Sequence, residues 1–135
     1  MTIKKTEPDY GPTNPSPQSS ASARVKRFGS VIGLRPEKER YYRKLHADVW
    51  PGALERLKTS NISNYSIYVA ELEGKRYLFS YFEYRGDDFE RDSRAMAEDP
   101  EFQRWWKETD PCQIQLPSRK PGANWSDIEM VFLME

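Results

Sequence analysis

The stretch SNISNYSIYVAELEGKRYLFSYFEYRGDD, residues 60–88, has the pattern of two strands joined by a tight turn. Side chains at alternate positions of a strand share one face, and the first half places Tyr65, Ile67 and Val69 together in this way. Its second half alternates through Tyr77, Phe79, Tyr81 and Glu83. The segment ELEGK between the halves contains Gly74, a residue favoured in tight turns. The stretch therefore predicts a β-hairpin.

Upstream of the hairpin, YYRKLHADVWPGAL, residues 41–54, predicts a helix with one apolar stripe. At spacings of three and four the stripe contains Tyr42, Leu45, His46, Val49, Trp50, Ala53, Leu54 and Leu57. Pro51 must kink this helix or begin a second one, because proline disfavours a helical residue before it. Before the helix, RFGSVIGL at 27–34 reads as a strand, and Pro36 suits the first helical turn.

Downstream of the hairpin, DDFERDSRAMAEDPEFQRWWKETD is helical in composition but is interrupted at Asp99-Pro100. We expect one helix near 87–97 and another near 100–108. The segment PCQIQLPSRKPGANWS then reads as a loop, and DIEMVFLM at 127–134 reads as a closing strand.

The order of these elements is β-α-β-β-α-β, which predicts an α+β fold of the ferredoxin-like type. In that fold a four-stranded antiparallel sheet carries its helices on one face. The other face is rarely left to water when it is apolar, so we expect a second copy to cover it. The predicted assembly is a homodimer whose two sheets pack face to face.

Residues 1–24 are rich in proline, serine and threonine and offer little apolar surface to bury. Such composition predicts a disordered N-terminal tail. Residues 25–135 then form one domain, because a chain of 135 residues has the length of a single domain with one core.

The charge balance excludes several classes of partner. The chain has 21 basic and 21 acidic residues without a long block of one sign, so neither nucleic acid nor an anionic membrane is expected as a partner. The single cysteine, Cys112, cannot form an internal disulfide, and no Cys/His cluster has the spacing of a metal site. These features predict a cytoplasmic protein that uses no metal. A small molecule is the expected ligand.

A few side chains stand out as candidates for chemistry. His46 is the only histidine, and its imidazole can transfer protons near neutral pH. Tyr42 precedes it by one helical turn, Tyr65 lies on the hairpin, and Trp105 and Trp106 are adjacent on a helix. Tryptophan faces stack on the apolar C–H faces of neutral sugars. Each residue has a plainer interpretation as part of the core, since buried aromatic residues are common.

Two acidic residues are further candidates for a general base. Asp110 follows the last predicted helix, and Glu83 lies near the end of a predicted strand. Acidic side chains at such positions are usually solvated. Residue types and spacings alone therefore indicate a cleft without specifying a reaction.

Five segments taken together resemble the L-rhamnose mutarotase family. They are YYRKLHADVWPGAL, NYSIYV, LFSYFEY, FQRWWKETD and EMVFLM. The family pattern is Tyr-x-x-x-His with a nearby Trp-Pro, then Asn-Tyr-x-Ile-Tyr, Arg-Trp-Trp and an ending in Val-Phe. The similarity extends from about Arg27 to Met134, in the same order and at nearly the same spacing.

The resemblance implies a dimeric α/β barrel built from ferredoxin-like subunits, and a cofactor-free isomerase that interconverts the anomers of L-rhamnose or a related 6-deoxy sugar. It also implies roles for individual residues. His46 matches the proton-donating histidine of the family, and Tyr42 and Tyr65 match tyrosines that contact the sugar. Trp105 and Trp106 match its substrate-binding pair.

Two other functions fit the same scaffold. Dimeric ferredoxin-like barrels also host cofactor-free oxygenases, because one fold supports many activities. A sugar-binding sensor without catalysis would keep the same pocket. A mutarotase would exchange the anomers, an oxygenase would form a new product, and a sensor would bind the sugar without doing either.

Overall fold

The computed structural model describes residues 9–135. Its helices and strands, in chain order, are α1 (Pro17–Ser22), β1 (Lys26–Leu34), α2 (Glu39–Ala47), α3 (Pro51–Thr59), β2 (Ile62–Leu72), β3 (Lys75–Tyr84), α4 (Phe89–Ala97), α5 (Pro100–Thr109), β4 (Gln113–Ile114) and β5 (Ser126–Ile128). The sheet order is β2-β3-β1, with β4 and β5 both paired to the remaining edge of β1. All pairs are antiparallel. This confirms the predicted ferredoxin-like arrangement.

The hairpin predicted from residues 60–88 is formed by β2 and β3. Leu72 pairs with Lys75, so the loop consists of Glu73 and Gly74. Both loop residues have positive φ angles, 51° and 77°, as a type I′ turn requires. This turn follows the right-handed twist of the strands, which is why so short a loop can join them.

Both helical regions divide at the predicted prolines. Pro51 is the first residue of α3, after Trp50 has adopted a non-helical conformation. Pro100 begins α5, and the Asp99 side chain accepts hydrogen bonds from the amides of Glu101 at 2.9 Å and Phe102 at 3.3 Å. Proline in the first turn removes no helical hydrogen bond, because the amides there have no partner within the helix. The aspartate side chain accepts hydrogen bonds from two of these amides.

The core lies between the helices and one face of the sheet. On that face Ile32 of β1 lies opposite Leu78 of β3, and both are completely buried. Tyr42 of α2 packs against this pair. A second cluster joins Ala53 of α3 to residues of α5. Burying apolar side chains between helices and sheet stabilises this arrangement.

The closing strand was predicted too long. Regular pairing covers only Ser126–Ile128, and the pairs are Gly29 with Ile128 and Val31 with Ser126. In this register Lys26, the first residue of β1, would lie opposite position 131, so the residues after 131 have no partner in β1. Gln113–Ile114, placed in the predicted loop, instead pairs with β1 as the first part of the same edge.

The predicted disordered tail, residues 1–24, stays a prediction. Residues 1–8 lie outside the described part of the chain. Residues 9–24 include α1, whose six residues are all at least partly exposed. The Thr13 carbonyl accepts a hydrogen bond of 2.8 Å from the amide of Leu133, which places this segment beside the C-terminus.

Candidate active site

A cavity of about 480 Å³ lies between the helices and the sheet. Volumes of roughly 300–1,000 Å³ are typical of small-molecule sites. We call it the aromatic cavity, and its walls are Tyr42, His46, Val49, Leu54, Leu57, Ile62, Tyr65, Ile67, Phe82, Phe89, Met96, Phe102, Trp105, Trp106, Thr109, Asp110, Gln113, Asn124 and Trp125. All five predicted site residues, His46, Tyr42, Tyr65, Trp105 and Trp106, are therefore brought to one cavity, although their roles stay predictions.

His46 is held by its own helix. Its Nδ1 lies 2.8 Å from the backbone carbonyl oxygen of Tyr42, one turn earlier in α2. Because a carbonyl only accepts, Nδ1 must carry the hydrogen, which leaves Nε2 for a bound molecule. The imidazole stacks on the Tyr42 ring at 4.1 Å and meets the edge of Trp105 at 5.2 Å. Burial lowers its pKa below the ordinary value of 6.5.

Tyr42 and Tyr65 contribute neutral hydroxyl groups to the aromatic cavity. Burial raises the pKa of Tyr42 far above the ordinary range for tyrosine, although a hydrogen bond from Gln113 opposes the shift. Burial also raises the pKa of the Tyr65 hydroxyl, while 42% of the whole residue is exposed. Both groups can donate and accept hydrogen bonds without ionising.

A β-bulge directs Tyr65 towards the cavity. The pairing of β2 with β3 shifts between Ser63 and Ser66, so that Asn64 and Tyr65 together lie opposite Phe82. The Asn64 backbone has a φ of 49°, and its side chain donates a hydrogen bond of 2.8 Å to Glu83. The bulge turns the Tyr65 ring against the Phe82 ring, at 5.4 Å. Redirecting a side chain in this way is a common use of bulges beside functional sites.

The two tryptophans of α5 differ in their surroundings. Trp105 is only 6% exposed and contacts both His46 and the ring of Trp50, the latter at 5.1 Å. Trp106 is half-buried and packs its ring against the Phe102 ring at 4.9 Å. Both nevertheless line the cavity. Trp106 therefore has the more accessible ring for stacking on a ligand.

The sequence alone did not single out three polar or aromatic wall residues. Gln113, Asn124 and Trp125 come from the edge segment β4 and from the loop that separates it from β5. No residue pattern marked that loop as close to α2. Of the two acidic candidates, Asp110 lines the cavity. Glu83 does not line it, and its carboxylate accepts hydrogen bonds from Asn64, Tyr81 and Arg85.

The chain is similar to known proteins over most of its length. A family model described as L-rhamnose mutarotase matches residues 27–134. The chain belongs to the L-rhamnose mutarotase family. An L-rhamnose mutarotase from Bacillus subtilis is 32% identical over 111 residues, which is 82% of this chain and 100% of the relative. Another from Listeria monocytogenes is 33% identical over 110 residues, covering 82% of this chain and 99% of the relative.

A solved structure shares the fold of this family member. The crystal structure of an L-rhamnose mutarotase from Formosa agariphila matches with a TM-score of 0.60 at 23% identity. The match covers 82% of this chain and 99% of the other. The predicted resemblance is confirmed, and family membership makes the chain an isomerase that interconverts sugar anomers.

Proposed function

We propose that the protein interconverts the α and β anomers of L-rhamnose by opening and reclosing the sugar ring. The observation that carries this proposal is the fixed imidazole of His46, whose Nδ1 is bound to a backbone carbonyl and whose Nε2 is left for a sugar in the aromatic cavity. An oriented proton carrier beside stacking surfaces supplies one of the two proton transfers that such a reaction needs.

Ring opening requires one proton on the ring oxygen and the loss of another from the anomeric hydroxyl. We assign the first transfer to His46, which then takes the proton back when the ring closes on the other face of the aldehyde. The hydroxyls of Tyr42 and Tyr65 orient the sugar by hydrogen bonds. Trp105 and Trp106 provide apolar faces for the ring carbons. The reaction forms no covalent bond between sugar and protein.

The apolar walls favour a sugar with a methyl group at carbon 6. Val49, Leu57 and Met96 are among the wall residues and cannot hydrogen-bond to a hydroxyl group there. Enclosing a hydroxyl without a partner is unfavourable, whereas enclosing a methyl group is favourable. This agrees with a preference for L-rhamnose or a related 6-deoxy sugar over ordinary hexoses.

NMR saturation transfer between the two anomers tests this function. With L-rhamnose, the protein should accelerate exchange of magnetisation between the α and β signals and produce no new compound. A panel of 6-deoxy sugars and ordinary hexoses measures the preference in the same way. A new product would instead support an oxygenase or other enzyme on this scaffold, and binding without faster exchange would support a sugar sensor.

The enzyme-dependent rate should fall as the pH rises, with a midpoint below 6.5, the ordinary pKa of histidine. Burial lowers the His46 pKa, and the imidazolium that donates to the ring oxygen is lost as the pH passes upward through that lowered value. Rates measured from pH 4 to 8, with the spontaneous rate subtracted at each pH, provide the profile. A rate that shows no fall towards neutral pH and is still rising at pH 8 would make His46 act as a base rather than as an acid.

We also propose that the protein is a homodimer formed through the sheet face opposite the core. Val31 and Phe79 are paired neighbours on this face, and Tyr68 of β2 lies opposite Phe79. Tyr77 and Tyr81 occupy alternate positions of the same strand. Tyr68 is 61% exposed, so an aromatic surface is available to a second copy. A two-fold axis through this surface would pack the same aromatic residues of the two copies against each other.

Tyr68→Lys is expected to shift the protein towards the monomer. Light scattering should give the wild type twice the chain mass of 15.9 kDa, and the variant a lower average mass at the same concentration. A lysine ammonium at the centre of an apolar contact loses hydration without gaining a partner. Tyr10→Lys, which changes an exposed aromatic residue of the N-terminal segment, is the matched control. Equal masses for all three proteins would exclude this interface.

A cytoplasmic location is part of the proposal. It agrees with the buried, unpaired Cys112, because thiols persist in a reducing compartment. Between residues 9 and 135, the helices are all too short or too polar to cross a membrane.

A further inference from the structure

Four residues that line the aromatic cavity have ionisable side chains. They are Tyr42, His46, Tyr65 and Asp110. Burial raises the pKa of both tyrosines, so they stay neutral at physiological pH. His46 is assigned one of the two proton transfers. Asp110 is the one carboxylic acid among the described residues that line the cavity.

The end of α5 fixes the position of Asp110. Its amide donates a hydrogen bond to the Trp106 carbonyl, and the residue begins the short turn Asp110–Cys112. Asp110 and Tyr42 both line the cavity, and the pKa of Tyr42 is raised mainly by burial, with a lesser contribution from the negative charge of Asp110. Tyr42 in turn stacks on His46. Asp110, Tyr42 and His46 therefore lie on the wall of one cavity.

Asp110 is an exposed residue at the end of α5, and its carboxylate is open to a molecule that enters the aromatic cavity. Within residues 9–135 it has no hydrogen-bond donor or cationic partner, and burial alone raises its pKa. Glu39 differs, because Arg76 and Arg43 both bind it and lower its pKa. A negative charge at the C-terminal end of a helix is also unfavourable, since the helix dipole is negative there. A carboxylate on the wall of the same cavity as His46, without a protein partner, can accept a proton from a bound molecule.

We propose that Asp110 accepts the proton of the anomeric hydroxyl while His46 donates a proton to the ring oxygen. This inference rests on the proposed anomer exchange. The electron pair of the hydroxyl O–H bond forms the aldehyde C=O, and the pair of the bond between the anomeric carbon and the ring oxygen moves to that oxygen. The hydroxyl proton is then on Asp110 and the His46 proton is on the new hydroxyl of the open chain.

Reclosure reverses each transfer. After the aldehyde rotates, the open-chain hydroxyl returns its proton to His46 as its oxygen attacks the carbonyl carbon. The carbonyl oxygen takes the proton held by Asp110, and both side chains regain their starting states. Burial suits each group to its task, because a lowered pKa makes imidazolium a stronger acid and a raised pKa makes carboxylate a stronger base.

Asp110→Asn tests the inference, because asparagine keeps the size of the side chain but cannot accept the proton. We expect exchange of L-rhamnose anomers to slow by about 10²-fold, the lower end of typical general-base effects, with sugar affinity little changed. Glu90→Gln is the matched control, since Glu90 is an exposed carboxylate of α4 paired with Arg94 outside the cavity. This control should exchange at the wild-type rate.

Several outcomes would overturn the role of Asp110. An Asp110→Asn rate within about threefold of wild type would exclude it as the base, and a loss of sugar affinity equal to the loss of rate would make it a binding residue. If the wild type itself fails to accelerate exchange, the proposed function fails first.

The pH profile provides a second measurement that needs no variant. Tyr42, His46 and Tyr65 share the cavity wall with Asp110, and Cys112 lies in the same turn, where the charges of Lys38 and Glu108 also act. Burial raises the pKa of the two tyrosines and of Cys112. The wild-type rate should therefore also fall at acid pH as Asp110 becomes protonated, which gives a bell-shaped profile. In Asp110→Asn the acid limb should disappear. A wild-type profile without an acid limb would overturn the inference even if the variant did not fold.

Discussion

Replacing His46 by glutamine should slow anomer exchange by roughly 10²–10⁴-fold, the contribution typical of a general acid–base group. The substitution removes the only imidazole of the chain, and no other cavity residue can donate a proton to the ring oxygen with comparable ease. Glutamine reaches about as far as Nε2 and can still hydrogen-bond to the sugar. NMR saturation transfer measures the rate, and titration of the sugar measures affinity.

A second substitution at the same position separates proton transfer from packing. Asparagine places its amide nitrogen near the position of Nδ1, where it can still donate to the Tyr42 carbonyl. If fixing the end of α2 were the purpose of His46, His46→Asn would restore activity that His46→Gln lacks. We expect both variants to be folded, to bind sugar and to be equally slow. Wild-type exchange in either would remove His46 from the mechanism.

Trp105→Ala is expected to lower the free energy of unfolding by roughly 3–5 kcal/mol, the range for truncating a buried large aromatic residue. Trp105 is 6% exposed, packs in one cluster with Ala53 and Phe102, and contacts the rings of Trp50 and His46. Its removal leaves a cavity that backbone elements on both sides cannot fill. Urea denaturation measures the change.

Trp106→Ala provides the comparison. Because Trp106 is half-buried, its truncation should lower the free energy of unfolding less than Trp105→Ala does. It also removes a stacking surface, so the loss of sugar-binding free energy should exceed the loss of unfolding free energy. Trp105→Phe, which keeps an aromatic ring, should recover part of the lost stability. If neither alanine variant changes sugar affinity, the tryptophans do not form the stacking surface.

Local sequence determined the elements of the fold. The alternation of Tyr65, Ile67 and Val69, together with Gly74, identified the hairpin because strand faces and turn geometry depend on neighbouring residues. Pro51 and Asp99-Pro100 marked helix boundaries for the same reason, since capping involves atoms within one turn. The order of these elements was then enough to indicate the ferredoxin-like sheet.

Sequence also located the predicted site residues, but only through their resemblance to a family. The pattern from Tyr42 to Trp106 spans several elements, and nothing in one element shows that another faces it. Taken one at a time, His46 and the two tryptophans were explained equally well as buried core residues and as residues of a site. The similarity was specific because five segments occur in the same order at nearly the same spacing.

Only the tertiary structure decided how the cavity is built. It placed both tryptophans on the cavity wall, with Trp105 almost completely buried and Trp106 half-buried. It shortened the closing strand to Ser126–Ile128 and brought Asn124 and Trp125 to the site. It also left Asp110 without a partner. Turns and caps form between neighbours along the chain, whereas burial, desolvation and the lack of a partner depend on atoms from distant segments, which only the folded chain brings together.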